Sequence, residues 1–484
     1  MEERKTETKQ KNKKKIRSYP IIVLSAFYAV LFCAMLVYIC YYSAHNKVVL
    51  MSNSYNTRQQ ILLDQNIRGS IYSRDGDVLA YTQTDSEGKE TRVYPYGSEF
   101  AHVVGYASNG KAGIEAAANY YLINTDADLP TKVALDAQGR KYPGNDCYTT
   151  LDVNLQEVAY NALSARRGAI VVSNPKTGEI LAMVSKPDFD PNTIQTEWDR
   201  LLSDTSDNAQ LLNRATQGIY PPGSTFKIVT ALAYIKDHPN DYNNYRFTCT
   251  GKFNYEGESI SCYHGQNHGS EDFEKSFAES CNSSFANIGL QINRQTFSST
   301  LNDLLFNREL PLDMLYSKSN AGINITTEVG DVMQLAIGQG STSMSPMHLN
   351  MITCAIANDG VLMKPYVVSE VKGSDGKVVK NYSPEEYKRL MTSQQSQILR
   401  SMMEAVVNEG TASKLKGLSY TAAGKTGSAE FNSSTSDSHA WFTGYAPADD
   451  PEVCVTIIVE NAGSGGSYAV PIAKRIFDAY FGIW

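Results

Sequence analysis

In the stretch Tyr220-Pro221-Pro222-Gly223-Ser224-Thr225-Phe226-Lys227, a hydroxyl and an amine stand three residues apart. These are the groups that acyl transfer uses as nucleophile and base. Two prolines and a glycine forbid helix up to Gly223, and the apolar run from Ile228 to Ile235 favours it afterwards. Ser224 is therefore expected at the first turn of a buried helix, with Lys227 on the same face and within reach of its hydroxyl. Spacing alone discriminates poorly, because Ser86, Ser108, Ser173, Ser369, Ser374 and Ser413 also have a lysine three residues on. Only Ser224 has the helix breaker before it and the apolar helix after it.

The elements that must position this pair belong to a chain of 484 residues, 42% apolar, long enough for two or three domains. The first 18 residues carry eight Lys and Arg against three Glu, so with a net charge of −7 overall the remainder carries −12. Basic charge confined to one end argues against a nucleic-acid partner. Residues 21–42 contain no charge, and at helical rise they span about 33 Å, enough for a bilayer core. The basic tail 1–20 precedes them and only Lys47 follows closely. This bias predicts a cytoplasmic N-terminus and an extracellular remainder. The apolar stretch exceeds that of a cleaved signal peptide, which favours an uncleaved anchor.

Of the eight cysteines, Cys33 and Cys40 lie in the apolar segment. Cys147, Cys249, Cys262, Cys281, Cys354 and Cys454 read as scattered, without metal-ligand spacing, so no metal and no cofactor is expected. A Cys249–Cys262 disulfide is conceivable outside the membrane and is left open.

After a polar tether, Arg68-Gly69 to Ala80 predicts a hairpin turning at Asp75-Gly76, followed by glycine-punctuated sequence and a short helix over 116–122. Residues 43–148 thus form a tether and a small non-catalytic module. The second unit, 149–484, starts with a helix to about residue 163. Strands over 168–173 and 179–185 follow, joined by the turn Asn174-Pro175-Lys176-Thr177-Gly178. Helices fill 270–360, strands return over 420–430, 440–445 and 453–460, and a helix over 471–481 closes the chain. Strands at both ends with helices between give an α/β or α+β layered domain with a mostly antiparallel sheet.

Two further motifs join the first: Ser280-Cys281-Asn282 at the end of a helical stretch, and Lys425-Thr426-Gly427-Ser428 inside a predicted strand. Chance matches to each exist, at Ser54-Tyr55-Asn56 in the tether, Ser206-Asp207-Asn208 in a polar stretch and Lys176-Thr177-Gly178 in a turn. None of them lies on an element the chemistry needs. In order and context, the three motifs resemble those of the penicillin-binding transpeptidases and their serine β-lactamase relatives. With the Arg68-Gly69, Gly105 and Gly113-Ile114-Glu115 segments and one N-terminal anchor, most of residues 60–484 resembles a class B, monofunctional penicillin-binding protein of a short subtype.

The resemblance implies a D,D-transpeptidase that cross-links peptidoglycan stem peptides and is inhibited covalently by β-lactams. Ser224 would be the nucleophile and Lys227 its base. Ser280 would relay a proton to the departing amine, and Asn282 would hold Lys227 and the substrate amide. Lys425 would supply positive potential for the substrate carboxylate, which Thr426 would bind. Gly427 would leave the strand edge open to substrate, and the backbone N–H groups of Ser224 and Ser428 would form the oxyanion hole. A lysine of ordinary pKa is neutral in only about four molecules per ten thousand at pH 7, so burial and the second cation Lys425 are expected to lower that of Lys227. The Gly338-Gln339-Gly340 and Trp441-Phe442-Thr443-Gly444-Tyr445 segments are expected to be structural. About 100 residues between membrane and catalytic domain leave no room for a glycosyltransferase domain, so the resemblance implies a separate membrane glycan polymerase as partner. The alternatives are a β-lactamase or β-lactam sensor on the same fold, a D-Ala-D-Ala carboxypeptidase, and a non-catalytic cell-wall scaffold.

Overall fold

The computed structural model of the chain describes residues 19–45, 58–204, 206, 208–432 and 437–483. Residues 1–18 of the basic tail, most of the tether with its Ser54 match, and Asp207 lie outside the described residues. The chain divides into two units, 1–59 and 60–484.

In the first unit, Tyr19–His45 forms one helix of 27 residues. Its 24-residue segment Tyr19–Tyr42 is uninterruptedly apolar or uncharged, and none of it is buried by protein. With every backbone bond internal and every side chain facing outward, it is suited to lie in lipid as a single-pass anchor.

The second unit is built on a five-stranded antiparallel sheet. Its strand order is Ala423–Asn432, Asp437–Ala446, Val453–Val459, Gly168–Ser173, Ile180–Lys186. Strands nearly 300 residues apart thus meet in one sheet, Val453–Val459 pairing with Gly168–Ser173. Every residue of these two central strands is buried, which explains why they read as continuous apolar runs rather than alternating ones. Helices Val153–Leu163 and Gly465–Tyr480 pack on each other and on the sheet. Pro346–Ala357 packs on the face that carries Thr443, Thr456 and Ser173. The closing helix starts at Gly465, six residues before Pro471, which lies inside it. Gly465 fits against the sheet where a Cβ would come 2.2 Å from Trp441 O, a contact that only glycine allows.

The hairpin expected at Asp75-Gly76 is present, with Ile71–Tyr72 antiparallel to Val78–Thr84. Its sheet is larger than the local signals indicate. Glu90–Val93 pairs with Val78–Thr84, Asp146–Thr149 runs parallel to Ile71–Tyr72, and Val368–Lys372 with Val378–Asn381 completes six strands. Segments on both sides of residue 149 therefore share one sheet. The helix expected over 116–122 is two short helices, Gly113–Ala117 and Asn119–Ile123.

Glu115, fully buried, binds this module together. It accepts from Arg68 Nε at 2.6 Å, Arg92 Nε at 2.7 Å and Tyr94 Oη at 3.3 Å, and Arg68 Nη1 also donates to Asn119 Oδ1 at 2.7 Å. Burial alone would raise the Glu115 pKa, but the two guanidinium groups outweigh it and hold the pKa below the usual range. Glu115→Ala leaves two arginines buried without their counter-ion. The expected loss is about 3–5 kcal/mol of folding stability, measured as a fall in the denaturation midpoint at unchanged slope. A loss under about 1 kcal/mol would contradict this role.

Candidate active site

Ser224 sits in the 3₁₀ turn Gly223–Phe226, which runs into the helix Lys227–Asp237, as the Pro-Pro-Gly breaker and apolar run predict. Gly223 has φ +52°, and its N–H donates to Gly338 O at 2.9 Å. A Cβ on Gly338 would lie 2.2 Å from Gly223 O, so the Gly338 segment can back the turn this closely only because it lacks a side chain. Tyr220 exchanges backbone hydrogen bonds with Met344, at 3.1 and 2.8 Å, and buried Trp441 donates from its indole to Pro221 O at 3.0 Å. The Tyr220 hydroxyl donates to Glu460, which also binds Arg214 at 2.8 Å. The nucleophile turn is thus aimed by backbone contacts and by groups more than 100 residues away. Gln339 and Gly340 also line the cleft above it, while Trp441 is purely structural.

The Ser280 motif lies between the helices Phe273–Ala278 and Asn282–Gln291. Ser280 has φ +61°, an uncommon conformation for a residue with a Cβ. It turns the residue so that both its carbonyl and its hydroxyl face buried lysines. Lys227 Nζ donates to Ser280 O at 2.5 Å, to Ser280 Oγ at 3.3 Å and to Asn282 Oδ1 at 2.8 Å. Lys425 Nζ donates to Ser280 Oγ at 2.8 Å and to Thr426 O at 3.0 Å. The three motifs converge on one hydroxyl. The sequence places the Lys227 amine beside Ser224, whereas these hydrogen bonds hold it on Ser280 and Asn282.

Both lysines are fully buried beneath a cleft of about 850 Å³ lined by Ser224, Ser280, Asn282, Thr426, Gly427 and Ser428 among others. Burial lowers the Lys227 pKa to about 8, against the opposing pull of Cys281, Cys262 and Glu271. Lys425 is pushed well below its usual value, first by burial and then by Lys227. The like-charge effect anticipated for Lys227 therefore acts on Lys425, while burial governs Lys227.

Ala423–Asn432 is an edge strand of the sheet, so among the described residues the side away from Asp437–Ala446 has no strand partner. Gly427 has a reason beyond an open edge. A Cβ there would meet Thr225 Cγ2 at 3.0 Å and Pro222 O at 3.1 Å, so glycine lets the strand lie against the nucleophile turn. Thr411 was not singled out by any sequence signal. Its hydroxyl shares a short hydrogen bond with Thr426, and its N–H donates to Ala278 O, joining the Ser280 loop to the Lys425 strand.

The cysteines do not stay scattered. Cys249, Cys262 and Cys281 lie together with His268 at the Ser280 motif, the three sulfurs and one imidazole nitrogen all within 4.8 Å of one another. Cys249 and Cys262 are free thiols with sulfurs 3.6 Å apart, not a disulfide. The lack of metal-ligand spacing along the chain is thus overturned in space: the strand turns at 249–272 shorten separations the sequence leaves long.

If Lys227 takes the Ser224 proton, only its neutral form reacts. With a pKa of about 8, acylation of Ser224 by penicillin is expected to rise roughly 50-fold between pH 6 and pH 8 and then level off. Stopped-flow acylation rates over pH 6–9 check this, and a flat profile would contradict it.

A serine on a helix-opening turn, two buried lysines and a hydroxyl between them, beside an unpaired strand edge, define a serine acyl-transfer site. The chain belongs to the penicillin-binding protein transpeptidase family: residues 168–478 match the penicillin binding protein transpeptidase domain, and residues 68–147 match the penicillin binding protein A dimerisation domain. It is 30% identical to the peptidoglycan D,D-transpeptidase PbpA of Mycolicibacterium smegmatis over 451 residues, covering 87% of this chain and 91% of that one. It is 31% identical to the peptidoglycan D,D-transpeptidase MrdA of Acinetobacter baumannii, covering 81% of this chain and 66% of that one. Penicillin-binding protein A from M. tuberculosis, solved as a ceftriaxone acyl-enzyme, superposes with a TM-score of 0.78 at 27% identity, covering 86% of this chain and 98% of that one.

Proposed function

We propose that the chain is a membrane-anchored D,D-transpeptidase that cross-links peptidoglycan stem peptides through an acyl-enzyme on Ser224. The observation that carries this reading is the Ser280 hydroxyl bound by two buried lysine amines, one from each flanking motif.

Neutral Lys227 Nζ takes the Ser224 proton as Oγ attacks the penultimate D-alanine carbonyl. The backbone N–H groups of Ser224 and Ser428 stabilise the oxyanion. As the tetrahedral intermediate collapses, Ser280 Oγ gives its proton to the departing D-alanine amine and is reprotonated from Lys227. This relay conserves the proton count and leaves the lysine neutral. An acceptor amine then attacks the ester along the same path in reverse. Asn282 Oδ1 holds Lys227 on this path, and its amide N–H₂, which donates to Ser261 O at 3.2 Å, faces the cleft wall. Lys425 acts from beneath through Ser280, and its positive potential and the Thr426 hydroxyl receive the substrate carboxylate. The peptide adds along the free edge at Gly427. A β-lactam acylates the same serine but leaves no departing group to make room for an acceptor.

Residues 1–20 form the cytoplasmic tail, 21–42 the anchor, 43–148 the tether and pedestal, and 149–484 the extracellular catalytic domain. A separate membrane glycan polymerase supplies the strands, contacted through the anchor and the small module. The test is turnover of a stem pentapeptide with an added amine acceptor. Release of D-alanine with formation of the amide product is expected. Release with only the hydrolysed tetrapeptide would make the chain a carboxypeptidase, and rapid hydrolysis of penicillin would make it a β-lactamase.

A further inference from the structure

We infer that Glu460 is a positioning residue: through Tyr220 on one side and the Lys425 strand on the other, it sets the spacing between the backbone N–H groups of Ser224 and Ser428, the oxyanion donors of the acyl-transfer reading on which this rests.

The Glu460 carboxylate is the meeting point of three donors. Its Oε1 accepts from Tyr220 Oη and from Arg214 Nε, both at 2.8 Å, and its Oε2 pairs with Arg167 Nε at 3.2 Å. Arg214 is almost fully buried and also donates to Asn208 O at 2.6 Å and Ala209 O at 3.2 Å, so the carboxylate is clamped rather than free to swing. The Glu460 N–H donates to Arg167 O at 2.8 Å, which closes that pair through the backbone as well. Burial first and the Glu460 charge second push the Tyr220 pKa up, so its hydroxyl remains a donor across the working pH range. The Tyr220 ring stands edge-on to His439 at 5.5 Å and to Trp441 at 6.1 Å.

Where Tyr220 is held, Ser224 is aimed. Only Pro221, Pro222 and Gly223 separate them, and each proline fixes its own φ, so a fixed Tyr220 fixes the direction from which the nucleophile turn starts. The turn then lies flush on the Lys425 strand: a Cβ on Gly223 would meet Ala429 Cα at 2.9 Å and Ser428 O at 3.0 Å. The segment that follows Glu460 holds that same strand from the other side. Asn461 N–H donates to His439 Nδ1 at 3.3 Å, His439 is the cross-strand partner of Ala429, and Gly465 N–H donates to Ser428 Oγ at 3.4 Å. One carboxylate thus stands between the two donors that the oxyanion needs, and it does not itself line the cleft. It acts on geometry alone, where a misplacement of about 1 Å can cost about 10²-fold in rate.

The test is stopped-flow acylation of the full chain by penicillin, resolved into the limiting rate at saturation and the half-saturating concentration, and counted per acylable site. Tyr220→Phe keeps the ring and its packing and should lower the limiting rate by about 10-fold. Glu460→Ala should lower it by about 10-fold to 100-fold, with half-saturation within about threefold of wild type in both variants. Glu460→Gln keeps an oxygen for the Tyr220 hydroxyl and should recover at least about threefold of the alanine variant's loss. The rise of the rate with pH should keep its midpoint near pH 8 in every variant, because none of them touches Lys227. A merely structural role would lower the unfolding temperature and the number of acylable sites without changing the rate at each. Limiting rates within about twofold of wild type in both Tyr220→Phe and Glu460→Ala would therefore overturn the inference. A moved pH midpoint would overturn it too, because the effect would then lie on Lys227. Should Glu460→Ala fail to fold, Tyr220→Phe decides alone. Wild type that is not acylated on Ser224 would overturn the acyl-transfer reading itself, and this inference with it, which keeps the two failures distinct.

Discussion

Replacing Lys227 with alanine is expected to slow acylation by penicillin by about 10³-fold to 10⁴-fold, the scale of losing a positioned general base. The expectation rests on burial and connection together. The amine is fully enclosed, its pKa is lowered to about 8, and it touches both remaining residues of the Ser280 motif. At that pKa about one molecule in ten holds it neutral at pH 7, against about four in ten thousand for an ordinary lysine. Removal also leaves the partly buried Ser280 O and Asn282 Oδ1 without their donor, at up to about 1 kcal/mol for each group. The rate constant is therefore taken per folded molecule, from a titration of folded protein at each time point. A loss under about tenfold would mean that another group takes the Ser224 proton.

The second large effect is Ser224→Ala, for which D-alanine release and penicillin labelling should both fall on the order of 10⁶-fold. Stability should change little, by about 0.5 kcal/mol or less. The turn that carries Ser224 is held by Gly223 N–H on Gly338 O, the Tyr220–Met344 bridge and Trp441 on Pro221 O, none of which uses the serine side chain. A large loss of stability would show that the hydroxyl is a structural group. Cells that depend on this chain should not survive on the variant, and survival would favour a scaffold.

The sequence was most informative where chemistry is carried by neighbours. The Pro-Pro-Gly breaker and the apolar run placed Ser224 because both act on the local backbone, and the central strands 168–173 and 453–459 were legible because burial on both faces leaves them apolar throughout. The N-terminal apolar helix Tyr19–His45 was legible for a related reason, since its uncharged run is unbroken in the sequence. Contacts between distant segments were not. Nothing in Gly113-Ile114-Glu115 reveals that Glu115 meets Arg68 and Arg92, and Val368–Lys372 carries no mark of pairing with Asp146–Thr149. Thr411 escaped notice because its role depends on Gly410, whose Cβ would lie 2.1 Å from Ala278 O. The cysteines were misread most plainly: chain separations of 13 and 19 residues collapse to sulfur distances of 3.6 and 3.7 Å once two hairpins fold.

These cases share a cause. Local rules report what a residue does to its own backbone, whereas the site is completed by residues that glycine allows to approach. Gly223, Gly338 and Gly465 each stand where a Cβ would collide with another segment and Gly427 where it would crowd one, and together they let the nucleophile turn, the Lys425 strand and the closing helix meet. Substituting any of them would disturb the cleft without touching a reacting group.

Ser224 is proposed to form a stable acyl-enzyme. Incubating the full chain in detergent with penicillin, digesting it and mapping the adduct by mass spectrometry tests this directly. A single adduct on the peptide containing Ser224 is expected, persisting long after acylation is complete. An adduct on another residue, or rapid release of hydrolysed penicillin, would contradict it.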